Sequence, residues 1–130
     1  MTMPTMQQAL KLYEETMRKR CAESSRFELG RSKGERIHAA MVAVAAQMIA
    51  SRLPEIDGEK AYIMGLFHDF GKLVYNDEMS DKFHGLEGYK YLRKLGYDEL
   101  ARISLTHTFY EQELNLKEYA GYNPSEMRKC

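Results

Sequence analysis

The sequence has little that would indicate a secreted or membrane-embedded protein. Only Cys21 and Cys130 are cysteines, too few and too far apart for a disulfide framework, so reduced thiols in a reducing compartment are expected. The longest apolar run, residues 39–46, is far shorter than the roughly 20 residues that span a bilayer. The first residues lack the basic and apolar regions of a signal peptide. These absences predict a cytoplasmic globular protein with no membrane partner.

The chain also lacks a net charge. Nineteen Lys and Arg residues balance nineteen Asp and Glu residues, so no overall positive field favours nucleic acid. Hydrophobic residues make up 44% and charged residues 29%, which is typical of a soluble protein. A chain of 130 residues is long enough to bury one core. Because no repeat, low-complexity tract or second domain is visible, we predict a single helical domain over residues 1–130.

Capping signals and apolar periodicity predict two long helices in the first half of the chain. Thr5 and Gln8 form a capping box that begins the first helix. The polar residues 22–34, punctuated by glycine, indicate a loop, and a second capping box begins the next helix at Glu35. Since that helix is apolar on every face around residues 39–46, we predict that it is central and buried.

Three further helices are predicted in the second half, with no convincing strand. Asp57 caps the third helix, and Gly65 within it costs helix stability, which indicates a close approach to the alanine-rich second helix. Two more helices are predicted over residues 83–95 and 99–108. Gly96 is expected to end the first of these in a left-handed conformation. The predicted fold class is therefore all-α, with about five helices.

The segment over residues 61–72 brings chemistry to the end of an apolar run. His68 and Asp69 are adjacent, and both are metal-ligand types. Burying an imidazole and a carboxylate is costly unless both have partners. The segment also fits an ordinary helix end, in which His68 caps the last carbonyls and Gly71 is a left-handed C-cap. The positions of the other histidines bear on the choice between the two.

The chain has four histidines, each on or at the end of a predicted helix: His38, His68, His84 and His107. A single histidine on the apolar second helix is more often a neutral core residue bonded to a backbone carbonyl. None of the four, however, lies in a predicted loop. Their distribution favours one shared site.

In their order and spacing these residues resemble the HD superfamily of metal-dependent phosphohydrolases. The resemblance covers roughly residues 32–110. It rests on His38, on Gly-Leu-Phe-His-Asp-Phe-Gly-Lys at 65–72, on His-Gly-Leu-Glu-Gly at 84–88 and on Leu-Thr-His at 105–107. It implies a bundle of about five helices around one buried metal site, which agrees with the helices predicted above.

The metal ligands that the resemblance implies are His38, His68, Asp69, His84 and His107. In this family, the equivalents of His84 and His107 hold a second ion or contact the substrate phosphate. One or two divalent ions of Mn, Fe, Co, Ni or Zn suit this mixture of imidazole and carboxylate. Lys72 is suited to a phosphate oxygen, although a solvated lysine at a helix end explains it equally well. The expected catalytic residues are Asp69, Lys72, His84 and His107.

The expected reaction is hydrolysis of a nucleotide or another small phosphate ester by a metal-bound hydroxide. The family's last metal ligand is an aspartate on a later helix, but no aspartate follows Asp98. Asn123 and Pro124 announce a helix close to the last residue, so we expect that the chain is cut before that ligand. The alternatives are a glutamate substitute or a degenerate HD domain that senses a nucleotide or partner. A di-iron oxygenase, a helical adaptor and a homodimer also stay open.

Overall fold

The computed structural model describes residues 3–23, 29–74 and 84–106. Within these ranges the chain forms helices and no strand, which confirms the predicted all-α class. None of the described helices is long and apolar enough to cross a membrane. The residues fall into two compact units, one over residues 3–68 and one from residue 69 onwards. The organisation as a single domain stays a prediction.

Each unit contributes three of the helices found in the described ranges. They are α1 Met6–Glu23, α2 Leu29–Ala50, α3 Gly58–Phe67, α4 Gly71–Val74, α5 His84–Lys94 and α6 Asp98–Thr106. The predicted loop over residues 22–34 is wrong in part, because α1 extends to Glu23 and α2 begins at Leu29. The short α4 was not predicted, since a single turn is too brief to show an apolar period.

Capping interactions confirm the predicted starts of α1 and α3. The Thr5 hydroxyl accepts a hydrogen bond from the Gln8 amide at 3.1 Å, and the Gln8 side chain accepts one from the Thr5 amide at 2.9 Å. The Asp57 carboxylate accepts hydrogen bonds from two amides in the first turn of α3. After α5, Gly96 has a φ of 90°, which is the left-handed conformation predicted for it.

α2 is not the central, buried helix that its composition predicted. Its buried residues are Ala39, Ala43 and Ala50, whereas most of its described large apolar side chains are exposed. A Cβ added to Gly65 of α3 would lie 2.7 Å from the Cα of Ala43. The predicted close approach at Gly65 is therefore confirmed, and it explains the correction, because only small side chains fit between helices at that distance. The exposed residues of α2 include Ile37, Met41, Val44, Met48 and Ile49.

Each unit buries its own set of large side chains. In the first, the Tyr13 and Phe67 rings meet edge to face at 5.9 Å between centroids. In the second, the buried Phe70 ring lies against the exposed Tyr91 ring at 5.8 Å between centroids. Core residues thus lie on both sides of the His68–Asp69 dipeptide in the sequence. The buried members near it are Ile63, Leu66, Phe67, Phe70 and Leu73.

Candidate metal centre

In the first unit, α2 and α3 bring two histidines together. The Nε2 atoms of His38 and His68 are 3.1 Å apart, and the ring centroids are separated by 4.9 Å. His68 is the C-cap residue of α3, and α3 is held against α2 at Gly65. His38 is exposed, although the second helix was predicted to be buried. Two of the predicted ligands nevertheless lie side by side.

The backbone of Gly65 sets the orientation of the His68 ring. His68 Nδ1 is 2.7 Å from the Gly65 carbonyl oxygen. Because a carbonyl only accepts hydrogen bonds, Nδ1 carries the hydrogen and donates it, and in the neutral ring the lone pair is then on Nε2. A histidine metal ligand typically has its second ring nitrogen held in this way. His68 therefore presents its basic nitrogen toward His38.

The separation of the two Nε2 atoms fits a shared metal ion. Two imidazole nitrogens that are each about 2.0–2.1 Å from one ion lie about 2.8–3.4 Å apart, for ligand angles between square and tetrahedral. The observed 3.1 Å falls within that interval. Without an ion, the same separation suits a hydrogen bond donated by His38 Nε2 to His68 Nε2. The pair is thus arranged for either state.

The second unit places Asp69 between two basic side chains. Asp69 Oδ1 is 3.1 Å from His84 Nε2, and Asp69 Oδ2 is 3.6 Å from Lys72 Nζ. The Asp69 and His84 side chains are each only 14% exposed, and Lys72 is 26% exposed. His84 is the first residue of α5, and the predicted helix began one residue earlier. The Asp69 carboxylate therefore contacts two of the other three expected catalytic residues, His84 and Lys72.

Gly71 has a steric role and not the left-handed C-cap role of an ordinary helix end. Gly71 begins α4, and Gly96 is the glycine with positive φ in the described residues. A Cβ on Gly71 would overlap the carbonyl oxygen of His84, and one on Gly88 would lie 2.9 Å from the Gly71 nitrogen. The backbones of α4 and α5 therefore meet without an intervening side chain, beside the Asp69–His84 pair.

Arg36, two residues before His38, is occupied by an ion pair. Its Nη1 donates to both carboxylate oxygens of Glu14, at 2.5 and 2.6 Å. The hydrogen bond to Glu14 raises the pKa of the Arg36 guanidinium above its ordinary value. This pair ties α1 to the part of α2 that carries His38.

Several predictions lie outside the described residues. His107 comes one residue after the end of α6, so its position relative to the other histidines stays a prediction. The same applies to the announced helix at Asn123 and Pro124 and to the acidic residues that follow His107.

A comparison with known protein families bears directly on this arrangement. The sequence model of the HD domain matches residues 36–127. The chain belongs to the HD domain family. No curated protein and no solved structure gives a significant match. The HD match begins beside His38 and continues past residue 110, so it includes all five predicted ligands and the acidic segment after them.

Sequence reasoning missed the glycine contact that holds α4 against α5. The signal was available, because a glycine inside a helix costs stability and often marks a close approach, as at Gly65. Gly88 in the His-Gly-Leu-Glu-Gly segment satisfies the same criterion. The Gly65 carbonyl as a partner of His68 had no signal, because any residue carries such a group.

Proposed function

We propose that this HD domain is a metal-dependent phosphohydrolase that cleaves a nucleotide or another small phosphate ester. The observation that carries the proposal is the orientation of His68. Its Nδ1 is bound to the Gly65 carbonyl, and its Nε2 lies 3.1 Å from that of His38. Membership of the HD family supplies the reaction class.

The proposed ion is held by His38, His68 and Asp69, a group whose side chains each offer one ligand atom. Three observations support it. The two histidines are paired in the first unit, Asp69 directly follows His68 in the chain, and Asp69 is fixed by His84 in the second unit. The ligand types suit Mn, Fe, Co, Ni or Zn. A second ion or a substrate phosphate is assigned to His84 and His107.

The remaining groups act on the substrate. A divalent ion, when bound, supplies an activated water and positive charge against a phosphoryl oxygen. The Lys72 ammonium offers a positive charge to the substrate phosphate. It lies 3.6 Å from Asp69 Oδ2 and would leave this carboxylate to contact the phosphate. His84 begins α5, and the partial positive charge of a helix N-terminus favours an anion. His84 Nε2 also donates a hydrogen bond to Asp69 Oδ1, which keeps that carboxylate oriented.

The test is phosphate release by the metal-loaded chain across a panel of nucleotides and simple phosphate esters. We expect release by the wild type and its loss in Asp69→Asn, which keeps the shape of the side chain and removes its charge. Asp98→Asn is the matched control, because Asp98 is an exposed carboxylate at the start of α6. Loss of activity in both variants, or in neither, would contradict the assignment.

A second candidate is an HD domain that binds metal and a nucleotide without turnover. The observation in its favour is that no aspartate follows Asp98 within the HD match at residues 36–127, and a metal site with fewer anionic ligands is weaker. Metal uptake and nucleotide binding with no phosphate release across the whole panel would decide for this reading. A nucleotide as the ligand, a homodimer and a cytoplasmic location are predictions common to both candidates.

A further inference from the structure

A contact between two backbones lies beside the Asp69–His84 pair. A Cβ added to Gly71 would overlap the His84 carbonyl oxygen and lie 2.9 Å from the His84 Cα. A Cβ added to Gly88 would lie 2.9 Å from the Gly71 nitrogen and 2.7 Å from the Ser104 hydroxyl. Real Cβ atoms do not approach backbone atoms so closely. Both glycines therefore keep α4 and α5 closer than any side chain would allow.

This contact acts directly on the residues of the proposed site. Gly71 is two residues after Asp69, and the backbone that it meets is that of His84 itself. The Asp69–His84 separation is 3.1 Å, and a hydrogen bond is lost by about 3.6 Å. A displacement of α5 from α4 by roughly 0.5 Å is therefore enough to break the pair. A side chain at position 88 would demand a movement of that size.

We infer that Gly71 and Gly88 are positioning residues, which set the distance between Asp69 and His84 by backbone contact. The inference rests on the proposed function, because it concerns the orientation of a proposed metal ligand. Neither glycine has a side chain that could bind an ion; both act through His84. Whether His84 holds an ion or only orients Asp69, its displacement weakens metal binding, because partners of metal ligands typically contribute 10–100-fold to affinity.

The experiment is a double-mutant cycle on cobalt binding, with Co²⁺ affinity measured by titration and folding checked by circular dichroism. The variants are Gly88→Ala, His84→Ala and the combination of both. Gly34→Ala is the matched control, because a Cβ at this helical glycine meets no atom within 4 Å. Should Gly88→Ala fail to fold, the same cycle is run with Ser104→Ala added, which relieves the 2.7 Å contact and keeps the one to Gly71.

We expect Gly88→Ala to weaken Co²⁺ binding by at least about tenfold in the wild-type background. In the His84→Ala background it should have less than about a twofold effect, because the residue through which it acts is gone. Unchanged affinity in Gly88→Ala would overturn the inference while the proposed function stands. An equal loss in both backgrounds would also overturn it, since that indicates general damage to the fold. A wild type that takes up no cobalt overturns the proposed function itself.

Discussion

The His38–His68 pair and the Asp69–His84 pair of this HD domain are held in different ways. His38 and His68 meet where Gly65 packs against Ala43, which is five residues from His38, and the Gly65 carbonyl also accepts a hydrogen bond from His68. Asp69 and His84 meet beside a glycine that touches the backbone of His84 itself. The first pair includes an exposed side chain, and the second is largely enclosed. The contact that joins the two helices therefore lies five residues from His38 in the first pair and at His84 itself in the second. We expect the second pair to be more sensitive to a side chain added at its glycine.

The largest expected effect is the loss of stability when alanine replaces Gly71 or Gly65. Gly71→Ala should lower the free energy of unfolding by about 3 kcal/mol or more, because the new Cβ overlaps the His84 carbonyl. Gly65→Ala should cost about 2 kcal/mol, since its closest contact, to the Cα of Ala43, is longer at 2.7 Å. Urea denaturation measures both.

Gly34→Ala serves as the control for both substitutions, and it should raise stability by up to about 1 kcal/mol through helix propensity. If Gly65→Ala proved more damaging than Gly71→Ala, the ranking of the two contacts would be wrong.

Removal of one histidine from each pair should separate a required ligand from a helper. His68→Ala should weaken metal binding by more than about 100-fold, beyond the usual effect of residues that only support a ligand. His84→Ala should weaken it by about 10–100-fold, because the ion keeps its ligands in the first unit. Isothermal titration with Mn²⁺ or Zn²⁺ gives both values. Equal effects at the two positions would remove the distinction between the pairs.

The buried hydroxyl of Ser104 offers a smaller test of the second unit. Ser104 is fully buried, and its Oγ has no hydrogen-bond partner among the described residues. Because an unsatisfied buried polar group is unfavourable, Ser104→Ala should raise the free energy of unfolding by about 1 kcal/mol. The matched control is Thr16→Ala in the first unit, where the hydroxyl donates to the Leu12 carbonyl at 2.7 Å and its loss should destabilise. A destabilised Ser104→Ala would show that the hydroxyl is satisfied.

The smallest effect is expected at the ion pair of the first unit. Arg36 and Glu14 are 41% and 46% exposed, so solvent screens their attraction. Arg36→Ala should therefore cost only about 0.5–1 kcal/mol, and less at high salt. Glu14→Gln should not change how the free energy of unfolding depends on pH between pH 5 and 9. The reason is that Glu14 raises the pKa of Arg36, which is already far above this range. A loss above about 2 kcal/mol would indicate that the pair helps to place His38.

The sequence predicted local features of this fold better than burial. The Thr5–Gln8 capping box, the Asp57 cap and the left-handed Gly96 depend on neighbours in the chain, and all three are confirmed. The predicted burial of α2 was wrong, because a helix that is apolar on every side has no periodicity to show which face packs. There the small size of Ala43, opposite Gly65, decides the face.

For the candidate centre, residue types and order were informative and contacts were not. The HD pattern predicted His38, His68, Asp69 and His84, and the family is confirmed. The pairing of Asp69 with His84 and the support from Gly71 depend on how α4 meets α5, which no local pattern encodes. The role of His107 stays a prediction.

Elemental analysis of the purified chain tests the central claim most directly. After reconstitution with Mn, Fe, Co, Ni or Zn and removal of excess ion, the wild type should hold about one or two transition-metal ions per chain, and His68→Ala should hold almost none. Stability should follow the metal, with a chelator lowering the thermal midpoint of the wild type only. Absence of bound metal in the reconstituted wild type, or equal metal content in His68→Ala, would contradict the account.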